Sequence, residues 1–245
     1  MQQFCRLYEA LDGTTRTNAK VEAMVRYFDA VPAEDAAWAV FFLTGQRLKR
    51  LISGPTLRTW VLRRTGLPEW LVAEAHAAVG DSAETVALLL EQGDPGVAPP
   101  LPLHRWIEER ILPLRGQPAE HQYQQVCGWW RELPRGQLFV LNKLLTGAFR
   151  VGVSKLLVVR ALALVANLPR PVLSHRLMGR VPPGAAWYRS LVAAESGRDD
   201  HSRPYPFYLA SPLDGPPESL GPVEDWLVEW KWDGIRGQLI RRGCE

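Results

Sequence analysis

Only three cysteines occur in the 245 residues, Cys5, Cys127 and Cys244, widely separated and without CxxC or CxxxxH spacing. Neither a disulfide framework nor a zinc site is expected from them. Long apolar runs are missing too: the longest, 156–168, is interrupted by Arg160 and is shorter than the roughly 20 residues a membrane-spanning helix needs. The N-terminus carries Arg6 and Glu9 and has no apolar core region of the kind a secretory signal requires. These absences predict a cytoplasmic protein with no membrane contact. His76, His104, His121, His175 and His201 are scattered with no acid or cysteine at ligand spacing, so no metal site is read from them. At 47% hydrophobic and 22% charged, the chain has the composition of a folded protein. Its 20 glycines and 20 prolines show no collagen-like period and act as punctuation between short elements.

Acidic residues are locally absent as well. Residues 131–190 hold ten Lys or Arg against one acid, Glu132, although the whole chain carries a net charge of only +3. Residues 36–68 contain no acid and include Arg47, Lys49, Arg50, Arg58, Arg63 and Arg64. Two basic segments in an otherwise acidic chain are the electrostatic footprint of a surface that tracks a phosphate backbone. A solvated helix face is the plain alternative.

Helical periodicity dominates the first 190 residues. Two helices are read between Asn18 and Leu43, with Val21, Met24, Val25 and Phe28 on one face and Trp38, Phe41 and Phe42 on the next. Further helices are predicted at Thr56–Arg64, Pro68–Val79 and Ser82–Leu90, the last with Asp81 and Glu84 in a capping-box arrangement. The stretch GDPGVAPPLP, 93–102, is an internal break. Beyond it, Leu103–Leu112, Ala119–Leu133, Arg135–Gly147 and Ser154–Asn167 read as helices, giving an all-α domain in two halves. Tryptophans such as Trp38, Trp60 and Trp106 fall at core positions, and Trp129-Trp130 is read as helix packing in preference to base stacking. The two basic segments echo each other, Thr44-Gly45-Gln46-Arg47-Leu48-Lys49-Arg50 against Thr146-Gly147-Ala148-Phe149-Arg150, each following a helix through a glycine turn. Helix C-caps with solvated arginines are the alternative reading of both.

Composition shifts after Leu191, with six prolines between Pro204 and Pro222. From Trp226 to Ile240 apolar and polar residues alternate around Asp233-Gly234, a β-hairpin pattern. Within it Lys231 stands between Trp230 and Trp232, flanked by Glu229 and Asp233. A free lysine has a pKa of about 10.4, so roughly one in two thousand is neutral at pH 7, and aromatic burial or a nearby cation is needed to make it a nucleophile. Taken alone, Lys231 is equally the polar residue of a hairpin strand.

The pattern K-x-D-G-x-R over Lys231–Arg236 resembles motif I of the covalent nucleotidyltransferases, which include ATP-dependent DNA ligases, RNA ligases and messenger-RNA capping enzymes. The upstream run Lys143 to Ser154 (KLLTGAFRVGVS) resembles the signature in the N-terminal DNA-binding domain of ATP-dependent DNA ligases, a domain that capping enzymes lack. The two motifs, in this order and separation, make the chain similar to the bacterial ATP-dependent ligases found beside repair helicases and nucleases.

That resemblance implies that Lys231 attacks the α-phosphorus of ATP, that Glu229 contacts the adenine amino group and that Arg236 contacts the ribose. Mg2+ would neutralise phosphate charge. Arg150, Gly152 and Ser154 would lie against nicked duplex DNA, with Lys143, Lys155, Arg47 and Lys49 adding charge. The expected organisation is mainly α: a two-halved helical DNA-binding domain over residues 1–195, a linker and Pro-rich arm over 196–222, and the opening β-hairpin of an incomplete α+β adenylation domain over 223–245. A monomer that binds DNA but does not ligate alone is expected, with a repair nuclease or helicase as a further partner. A stand-alone helical DNA-binding module without catalysis is the alternative.

Overall fold

The computed structural model describes residues 1–90, 101–178, 183–194, 213 and 215–226, and singly 230, 234, 237 and 239. Its first six helices are α1 (Gln2–Asp12), α2 (Thr17–Ala30), α3 (Ala33–Leu43), α4 (Gly54–Thr65), α5 (Glu69–Val79) and α6 (Ser82–Leu89). After 91–100 the next helical stretch opens with one α-turn, α7 (Leu103–Arg105), and widens into π-turns over Trp106–Ile111. It is followed by α8 (Ala119–Glu132), α9 (Arg135–Thr146), α10 (Lys155–Ala166), α11 (Arg170–Arg176) and α12 (Ala185–Val192). Among the described residues there is no strand. Most of the expected hairpin, including Glu229, Lys231 and Arg236, lies outside them.

Local chemistry sets the boundaries. Prolines 32, 68, 118, 134 and 169 stand at the N-caps of α3, α5, α8, α9 and α11, where a missing N–H costs nothing. Ser53, Asp81 and Ser154 cap α4, α6 and α10 through their side chains. Four features differ from the sequence reading. α1, α11 and α12 were not foreseen, and 103–112 is not one regular α-helix. Pro113 has no N–H to donate back into that helix, and the ladder widens instead, Leu112 N–H donating to Ile107 O, before a 3-10 turn at Leu112–Leu114.

The two halves repeat each other. α2 starts at Thr17 and α8 at Ala119, and α3 starts at Ala33 and α9 at Arg135, both pairs 102 residues apart. The pairs α4/α10, α5/α11 and α6/α12 keep that offset to within one residue. Packing follows the same rule with partners exchanged: α6 lies on α9 as α12 lies on α3, and α1 meets α9 as α7 meets α3. α10 packs along α2, and α4 meets α8 through Trp60 edge-on to Tyr123 and an Arg63–Glu120 ion pair. This is the contact pattern of an internal two-fold, in which each half supplies what the other covers. One hydrophobic core results, running from Phe4 and Leu11 through Ile107 and Leu145 to Leu162 and Leu173. No single helix among the described residues is long and apolar enough to cross a membrane; α10 and α11 together have the composition but are bent by 115°.

Candidate nucleic-acid interface

Two glycine turns give the surface its form. α3 ends in Thr44-Gly45-Gln46 and α9 in Thr146-Gly147-Ala148, and both close with one set of hydrogen bonds. Gln46 N–H donates to Phe41 O at 3.1 Å, as Ala148 N–H does to Lys143 O at 3.1 Å. Thr44 Oγ1 donates to Val40 O and Thr146 Oγ1 to Asn142 O, at 2.7 and 2.9 Å. The six-to-one bond defines a Schellman-type stop, which needs a left-handed residue, and Gly45 and Gly147 supply it with φ of 86° and 65°. From each turn the chain runs through basic residues to a serine N-cap. Ser53 accepts from Thr56 N–H at 3.1 Å and Ser154 from Leu157 N–H at 3.4 Å.

The turns also touch. Leu51 and Ile52 N–H both donate to Leu145 O at 3.2 Å. A Cβ on Gly147 would stand 3.1 Å from Leu48 O, which explains glycine there a second time. The contact brings the exposed Arg47, Lys49 and Arg50 into the neighbourhood of the exposed Arg150. α4, α9, α10 and α11 contain no acidic residue, so little opposes their charge locally. Beyond Arg150 the chain is tied down from α1 and α2. Tyr8 Oη donates to Arg150 O at 3.3 Å, and burial pushes this phenol up to about 12, so it remains a donor at neutral pH. Lys20 Nζ donates to Gly152 O at 2.6 Å.

The residues expected to meet DNA divide into two sets. Arg47, Lys49, Arg150, Gly152 and Ser154 are exposed and lie on or beside the turns. Lys143 is turned to another task, since its ammonium pairs with Asp81 at 2.6 Å and ties α9 to the N-terminus of α6. Burial raises the Asp81 pKa, but the bonds from Lys143 and from the Glu84 and Ala83 amides prevail and hold it below the usual carboxylate value. Lys155, at the head of α10, donates to Leu177 O at 2.9 Å, and burial lowers its pKa. Glu229, Lys231 and Arg236 are outside the described residues.

Other expectations meet their geometry here. Trp129 and Trp130 are buried, Trp129 edge-on to Trp106 and Trp130 donating to Asn142 Oδ1 at 3.0 Å, so neither is placed to stack on bases. His104, which has no acid at ligand spacing in the sequence, sits 2.6 Å from the buried carboxylate of the distant Asp35, which also accepts from the Leu103 and His104 amides and caps α7. Among the described residues no group of three His, Cys, Asp or Glu could hold a metal ion. Sequence reasoning missed Tyr8 and Lys20, whose partners are 142 and 132 residues away and leave no local signal.

The N-terminal domain of DNA ligases, described as a family under "DNA ligase N terminus", matches residues 1–163, from α1 into α10 and across both glycine turns. The chain belongs to this DNA ligase family. A relative described as a probable DNA ligase, from Koribacter versatilis (strain Ellin345), is 24% identical over 264 aligned positions that take in 97% of this chain. They cover 42% of that ligase, so the chain spans less than half the length of the relative. The helices from α1 into α10, both glycine turns and the acid-free segment 36–68 therefore lie within a DNA ligase N-terminal domain.

Proposed function

We propose that this chain is the DNA-gripping portion of an ATP-dependent ligase that seals nicks through a lysyl-AMP intermediate. The observation that carries the reading is the junction of the two basic glycine turns. Leu145 O holds the strand of the first turn against the end of the helix that starts the second, so charge from both halves is offered to one stretch of phosphate backbone. Glycine at the turns lets backbone approach phosphate closely, and the N-terminus of α10 adds the positive end of its dipole.

Catalysis is assigned to the segment after the helical domain. Lys231, as the neutral amine, attacks the α-phosphorus of ATP; the Nζ–P bond forms and the bond to pyrophosphate breaks. Glu229 and Arg236 orient the adenine and ribose. AMP then passes from Lys231 to the 5′-phosphate at the nick, and the 3′-hydroxyl displaces it as the new phosphodiester forms. Mg2+, when bound, neutralises phosphate charge; none of the described residues is assigned to hold it.

Two measurements test the reading. Residues 1–245 are expected to bind a nicked duplex, with a logarithmic salt dependence that becomes shallower by about 0.9 for each phosphate contact removed, as in Arg150→Ala. Absence of binding by the wild type would sink the DNA-gripping role. In the full-length ligase, label from α-labelled ATP is expected on the wild type and not on Lys231→Ala; label on both would remove Lys231 from the chemistry.

A further inference from the structure

Lys20 is an unusual residue to find where it is. It lies on the inner face of α2 and is only 9% exposed, yet no carboxylate stands within ion-pairing distance of it among the described residues. Among the described residues its hydrogen-bond partner is a single backbone carbonyl, Gly152 O. Burying an ammonium without a counter-ion is unfavourable, and an apolar side chain of similar length would pack there at less cost. Stability therefore gives no reason for a lysine here. Its position does: the carbonyl it binds belongs to the turn that carries Arg150, Gly152 and Ser154.

We infer that Lys20 is a positioning residue for nucleic-acid binding, which draws the Gly152 carbonyl inward and so fixes the 150–154 turn in the form that receives a phosphate. The inference rests on the DNA-binding reading and deepens it. A carbonyl oxygen left facing outward would repel phosphate; bound by an ammonium, it is withdrawn and its charge neutralised. Tyr8 does the same for Arg150 O, so two carbonyls of one short segment are held from beneath by two helices. Arg160 on α10 bonds Asn18 Oδ1 on α2 at 2.9 Å, fixing the helix that follows the turn to the helix that carries Lys20. Gly152 completes the arrangement from the other side. A Cβ there would stand 3.3 Å from Lys20 Nζ, so a larger residue would press on the bond. The matching position in the second half, 102 residues on from Lys20, is Gln122, whose amide donates to Leu114 O and has no part in a basic turn. The brace belongs to one half alone.

The test uses residues 1–245 and a short nicked duplex, with Lys20→Met, Gly152→Ala and the double variant. Lys20→Met is expected to bind about tenfold more weakly, with a melting temperature equal to or above that of the wild type and a salt slope unchanged to within a few tenths. Gly152→Ala is expected to weaken binding too, and the double variant to be no weaker than the worse single, because both disturb one bond. Wild-type affinity in Lys20→Met overturns the inference, as does a slope shallower by about 0.9, which would make Lys20 a direct phosphate ligand. Should Lys20→Met fail to fold, Lys20 is structural and the inference is lost, unless Gly152→Ala binds weakly at full stability. If the wild type itself does not bind, the functional reading has failed and not the brace.

Discussion

The two glycine turns share a frame and differ in what holds them. Thr44-Gly45 and Thr146-Gly147 close with equivalent hydrogen bonds, yet a Cβ on Gly45 would meet nothing within 4 Å, whereas one on Gly147 would press on Leu48 O. The first turn's chain borrows support from the second half, through Leu145 O; the second turn's chain is supported from the first, through Tyr8 and Lys20. A duplicated scaffold thus carries unequal turns. The open turn has no neighbour to hold it at Gly45, and the braced one is set in advance, which under the proposed DNA-binding role would lower the ordering cost at that point.

Substitutions can break the comparison at graded cost. The largest effect is expected where the repeat itself diverges inside the core. Asn142 is fully buried, takes a bond from Trp130 Nε1 and gives one to Ala83 O, while its counterpart 102 residues earlier is the apolar Val40. Asn142→Leu strands the buried Trp130 N–H and removes the second bond to Ala83 O, and is expected to cost about 3 kcal/mol in urea unfolding; a cost near zero would mean that the pair of bonds contributes nothing net. Next come the turns themselves. Gly147→Ala is expected to cost about 2 kcal/mol and Gly45→Ala about 1 kcal/mol, since both need the left-handed region but only Gly147 is also crowded. Equal losses in thermal melts would show that the crowding is relieved by a small shift. The smallest contrast is between the caps. Ser53 accepts at 3.1 Å and Ser154 at 3.4 Å, so Ser53→Ala is expected to cost about 1 kcal/mol and Ser154→Ala about half that, read as amide exchange protection in the first turns of α4 and α10. The reverse order would show that cap length is no guide here.

What the residues disclosed in advance followed from range. Helices α2 to α6 and α8 to α10 carry long apolar periods and their own stop signals, so they could be read locally. α1 buries Phe4, Leu7, Tyr8 and Leu11 at plain helical spacing, but it opens at Met1 with no side-chain N-cap to mark its start. α11 and α12 have seven and eight residues, too few to establish a period, and lack the side-chain cap that marks the similarly short α6. The echo of Thr-Gly turns was visible because it is a local pattern. The Asp35 cap of α7, the Asp81 claim on Lys143 and the Lys20 brace were not, because each joins residues 62 to 132 positions apart. Charge counting located the basic segments and could not tell which of their cations are engaged internally, as Lys143 is with Asp81.

The exchange of partners between halves has a consequence for how the chain comes into being. α2 and α3 bury their inner faces against α10 and α12, which are translated more than 100 residues later. At about 5–20 residues per second, these faces wait roughly 6–30 seconds for their cover. Neither half holds a closed core meanwhile, so folding must be completed late, by contacts remote in sequence, and is expected to be slow for a helical protein. A nascent first half would be the species that chaperones recognise.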